Sequence, residues 1–96
     1  MRKSYILVFG DTTGTKDQLK EILNKMNTII TWRTDMPHSF YLVSANTAQE
    51  IYDDLIAVKG KEGRFLISEV SDNSQGLLPK DSWYFIQNKK LKPKDI

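Results

Sequence analysis

Two stretches of the chain repeat apolar residues at the spacing of one helical face. Leu19, Ile22, Leu23 and Met26 fall at i, i+3, i+4 and i+7, which predicts an amphipathic helix. Thr15 and Gln18 before it form a capping-box pattern, in which side chain and backbone satisfy each other's orphan N–H groups. The second stretch, Thr47 to Lys59, places Ala48, Ile51, Tyr52, Leu55 and Val58 on one side. It carries the same box in Thr47 and Glu50, with Gly60 where a C-terminal glycine belongs. Between the helices lie strand-like runs. Tyr5 to Phe9 is continuously apolar, as in a central strand covered on both faces. Thr28 to Arg33 is rich in β-branched and aromatic residues, and Phe40 to Val43 follows the turn-like Asp35-Met36-Pro37-His38. Arg64 to Val70 follows a Gly-Lys-Glu-Gly turn and reads as a fourth strand.

The resulting order is βαββαβ, which predicts an α+β, ferredoxin-like domain: a four-stranded antiparallel sheet with two helices on one face. Such a sheet leaves its other face bare, yet large apolar residues must occupy both. That favours a homodimer formed sheet to sheet. After a polar loop, Ser71 to Gly76, the segment Leu77 to Ile86 predicts a short C-terminal helix with Pro79 in its first turn. Its aromatic load is too high for a solvated tail. Trp83 and Phe85 are therefore expected to pack on the domain or across a dimer interface.

Composition refines this picture. Ninety-six residues allow one domain with a modest core, predicted over residues 1–88. The absence of cysteine removes disulfides, zinc–thiolate sites and thiol catalysis. The formal charge of +2 splits unevenly: residues 1–88 carry −1 and residues 89–96 carry +3. The basic balance thus belongs to a tail, expected to be disordered, whose Lys89, Lys90, Lys92 and Lys94 are the candidate contacts to RNA or DNA. No run approaches a membrane span or a signal-peptide core, so the simplest reading is a soluble cytoplasmic protein with no membrane partner.

Candidate chemistry is sparse. Gly10 to Lys16 joins a strand to a helix but lacks the glycine and lysine spacing of a phosphate loop. His38, the only histidine, reads as a polar hairpin residue, and Asp53 and Asp54 as solvated charges. Asp11 is the one suggestive carboxylate, at the end of the first strand. Its default use is to cap the turn before the first helix. Alone it cannot hold Mg²⁺ firmly, but two copies meeting in a dimer would supply a pair.

The chain also resembles the SinR-like family, small proteins related in fold to the CRISPR-associated adaptation nuclease subunit and, more distantly, to VapD toxins. The resemblance spans roughly Tyr5 to Ile86. It rests on Trp32, Ser39-Phe40-Tyr41-Leu42-Val43, Thr47 to Ile51, Leu66 to Val70, and Gly76-Leu77-Leu78-Pro79-Lys80-Asp81-Ser82-Trp83, similar to a Gly-Trp-Leu-Pro-Lys-x-x-Trp signature. It implies a ferredoxin-like homodimer serving as a nucleic-acid scaffold or as a Mg²⁺-dependent endoribonuclease with Asp11 as metal ligand and catalytic residue. This sequence departs from the pattern at that point: Gly10 stands where the family's acidic residue would be, and Asp11 comes one place late. A one-residue shift within a strand turns a side chain to the opposite face, so Asp11 recovers the position only if the strand has already ended.

Overall fold

A computed structural model describes residues 1–93, and Lys94 lies outside them. Strand β1 (Lys3–Phe9) leads through a short 3-10 turn (Asp11–Thr13) into helix α1 (Lys16–Lys25). Strands β2 (Thr31–Met36) and β3 (Ser39–Ser44) form a hairpin, followed by helix α2 (Ala48–Lys59), strand β4 (Phe65–Glu69) and helix α3 (Lys80–Asn88). The sheet order is β2-β3-β1-β4, with every neighbour antiparallel. This is the α+β, ferredoxin-like arrangement. None of these helices is long and apolar enough to cross a membrane.

Both capping boxes form: the Thr15 and Thr47 hydroxyls accept from the Gln18 and Glu50 N–H groups, and both longer side chains reach back. Hydrogen bonds from Thr47 to the Glu50 carboxylate hold that carboxyl below its ordinary range. One face of the sheet then closes under α1 and α2. Tyr5, Leu7 and Phe9 of β1 join Phe40 and Leu42 of β3 against Leu19, Leu23, Met26, Ile51 and Leu55. Tyr52 and Val58, expected on this buried side, remain substantially exposed because the burial of α2 centres on Ile51 and Leu55.

Strand β2 begins and ends three residues later than its sequence suggests. Thr28 is taken up by α2: its N–H and hydroxyl both donate to Asp54 Oδ2, at 3.0 and 2.7 Å. Asp54 is thus a structural anchor rather than a solvated charge. At the other end the pairing survives to Met36 through a bulge between Arg33 and Met36, leaving only Pro37 and His38 in the turn. A bulge re-aims the side chains beside it.

One of them, Asp35, meets the C-terminal helix. Ser82 Oγ, wholly buried, donates to Asp35 Oδ2 and accepts from Arg33 Nε at 2.8 Å, while Tyr41 Oη donates to Asp35 Oδ1 at 2.8 Å. Ser4 Oγ adds a buried bond to the Ile86 carbonyl at 2.6 Å. These bonds seat α3 across the second face of the sheet, where Phe85 and Ile86 bury Tyr41 and Val43. The face expected to be bare is therefore partly roofed by the chain's own helix. Pro79 stands at the N-cap rather than inside the first turn, so α3 starts at Lys80.

Burial, followed by the hydrogen bond and charge of Asp35, pushes the Tyr41 phenol far above its ordinary value. A raised phenol contributes stability that is whole below pH 10.0 and is lost as pH climbs beyond that unfolded value. Melting midpoints should hence fall above pH 10.0, with Tyr41→Phe removing much of that slope. Ser82→Ala strands Asp35 and Arg33 together and should cost about 1–3 kcal/mol in urea unfolding followed by tryptophan fluorescence.

Candidate functional site

The end of β1 is built by backbone contacts. Gly10 N donates to the Arg64 carbonyl at 3.0 Å, and Thr13 Oγ1 reaches the same carbonyl at 2.6 Å. Gly63, at φ 85°, lets the turn before β4 press against Thr13, where a Cβ would run into the backbone. This clamp holds the 3-10 turn that carries Asp11, beyond a strand that has already ended at Phe9.

Asp11 does not cap the first helix, a role Thr15 fills. Its carboxylate instead meets His38, with Nε2 to Oδ1 at 2.7 Å. The His38 ring lies 5.6 Å from that of Phe9, and the Phe9 N–H donates to the His38 carbonyl at 3.0 Å. The pair is open to solvent, with Asp11 91% and His38 55% exposed at the side chain. An imidazole oriented by a carboxylate can give or take a proton at a bound group. No third His, Cys, Asp or Glu joins them as a metal cluster among the described residues. One carboxylate and one ring nitrogen in a single copy do not fit Mg²⁺, which takes oxygen ligands.

The partnership of Asp11 with His38 was readable from topology. Antiparallel pairing of β1 with β3 sets Val8 beside Ser39, so the residue before β3 must lie next to the residues after β1. That neighbourhood follows from strand order and hairpin taken together, and from neither residue alone.

A second region lies on the α3 side of the sheet. Trp83 packs half-buried on the cluster of Tyr41, Val43 and Ile86, and Phe85 is fully enclosed within its own chain. Both therefore pack on the domain, and Phe85 has no surface left to offer a partner. Between α3, the sheet and the loop before α3 runs a cleft of about 330 Å³, walled by Ile6, Tyr41, Leu78, Trp83 and Ile86. Next to it Val8 and Leu66, cross-strand partners on β1 and β4, stay 44% and 66% exposed.

The third region is basic. Arg2 Nη1 donates to the Lys89 carbonyl at 3.1 Å, joining the two ends of the chain. Lys89 caps α3 in a left-handed conformation, and Lys90 follows it, exposed. Lys92 is engaged by Asp81 at 3.3 Å, so its charge is partly answered within the chain.

The exposed Asp11–His38 contact should add little to stability, as surface ion pairs do. Asp11→Ala is expected to leave the melting midpoint unchanged at pH 7, whereas Gly63→Ala, which strains the clamp, should lower it clearly in the same calorimetric series. Compared with known proteins, the chain matches no family model, no curated protein and no solved structure.

Proposed function

We propose that this chain is a small homodimeric scaffold that associates with nucleic acid and does no efficient chemistry. The observation that carries the reading is the contact of Arg2 with Lys89. It draws the first basic side chain and the basic C-terminal segment to one end of the fold, with exposed Lys90 beside them. Lys/Arg groups gathered in one place release counterions from a phosphate backbone, which is the main source of sequence-independent affinity. The rest of the domain is close to neutral. Binding of this kind is weak and strongly salt-dependent, suited to positioning a strand rather than to reading its bases.

A second reading, a Mg²⁺-dependent endoribonuclease using Asp11, is favoured by the position of that carboxylate at the end of β1 and by its contact with His38. Its metal would need donors from a second copy, since one copy presents a single carboxylate there.

Titration of single-stranded RNA and DNA over a salt series tests the first reading. Replacing Arg2, Lys89 and Lys90 together by Ala should weaken binding about tenfold or more and flatten the salt dependence by about two to three phosphate contacts. Absence of binding at low salt would instead mark a protein-interacting regulator. Mg²⁺-dependent RNA cleavage abolished by Asp11→Ala would establish the nuclease, and cleavage that survives Asp11→Ala would dismiss Asp11 as its ligand.

A further inference from the structure

Two hollows on the α3 side of the sheet meet at one indole. The larger is the cleft of about 330 Å³ between α3, the sheet and the loop before α3, and its walls include the rings of Tyr41 and Trp83. The smaller, of about 200 Å³, runs over Val70, Ser74, Trp83 and Gln87 and reaches Lys89. Trp83, only half-buried, lines both. Through that side chain an apolar hole adjoins the basic end of the fold.

We propose that the cleft receives a flat aromatic base against Trp83, while the phosphate attached to that base lies at Lys89 and Arg2. The inference rests on the nucleic-acid reading above and gives it a site for one nucleotide. A cleft of this volume is of the size that small ligands occupy. Indole rings are the usual platform for an unstacked base, and lysine and arginine beside them hold the backbone. Stacking of this kind tolerates any base, so the site holds a strand without reading it.

The charges around the two hollows agree with this occupant and set its orientation. Lys89 lines the smaller hollow, Arg2 is bonded to the Lys89 carbonyl at 3.1 Å, and exposed Lys90 follows in the chain. Asp72 shares that hollow and offsets one of these cations, which leaves the Lys89 end positive. Glu69 lines the cleft, but its cross-strand partner is Tyr5, whose ring packs under α1 and α2. Directly paired residues send their side chains to one face, so the Glu69 carboxylate leaves on that opposite side. Arg33 stands on the cleft face but donates to Ser82 at 2.8 Å, and Asp35 is taken by Ser82 and Tyr41. What remains for a ligand is ring surface and, on the loop, the Asn73 amide, which both donates and accepts at a base edge.

Titration of the full chain with a short oligothymidylate, an abasic oligomer of the same length, and AMP tests this. The wild type should bind the abasic oligomer about tenfold or more weaker than oligothymidylate, although both carry the same phosphates. Trp83→Leu, checked for fold by circular dichroism, should remove that difference and leave abasic binding unchanged. In a Trp32→Phe background, oligothymidylate should quench the remaining indole emission. Equal affinity of the wild type for the two oligomers, without quenching, would overturn this site while the nucleic-acid scaffold stands. Absence of binding to either oligomer at low salt, with AMP also silent, would overturn both. AMP binding as tightly as oligothymidylate would support the cleft with a free nucleotide as its ligand, whereas much tighter oligothymidylate binding would support it with a residue of a strand.

Discussion

The hydrogen bond from Ser82 to Asp35 is the hinge on which the molecule's surface turns. A βαββαβ sheet covered by two helices on one side has no reason of its own to cover the other. Here a wholly buried hydroxyl on α3 is matched to a carboxylate on β2, and Arg33 and Tyr41 complete the pairing of both groups. Buried polar groups are tolerated only when so satisfied. Once α3 is seated, Phe85 and Ile86 cover part of the second face, Trp83 becomes a wall, and the cleft is what is left. Asp35 lies within the bulge between Arg33 and Met36.

Regions with different chemistry occupy different parts of this frame. Antiparallel pairing puts the end of β1 and the β2–β3 turn at one end of the sheet, which is why Asp11 and His38 meet although they stand 27 positions apart. The basic residues lie where β1 begins and α3 ends. The cleft, lined by Ile6, Tyr41, Leu78, Trp83 and Ile86 together with Glu69, lies across the open part of the second face.

Much of the fold was legible because its signals are local. A capping box is a contact among residues three apart, so Thr15 with Gln18 and Thr47 with Glu50 announced both helix starts correctly. The β2 boundaries were not legible, because they depend on partners distant in sequence. Thr28 looks like a strand residue until Asp54, 26 residues away, claims its N–H and hydroxyl. The candidate site divides in the same way. That Asp11 follows the first strand is visible in the chain, but its contact with His38 requires the strand order. The basic character of the C-terminal segment is a count of lysines, whereas the arrival of Arg2 beside Lys89 is a fact of docking.

By itself, then, the sequence determined the element order, the two caps, the apolar face beneath α1 and α2, and the segregation of charge, since each follows from residue type and short-range spacing. Only the tertiary structure decided what became of the second sheet face. The aromatic residues of α3 could satisfy their burial equally well within one chain or between two. The choice was made by long-range hydrogen bonds from Ser82 and Ser4, whose partners lie on β2 and at the end of α3 itself. Hydrophobicity is non-directional and states only that Phe85 must leave water; directional bonds with specific partners state where it goes.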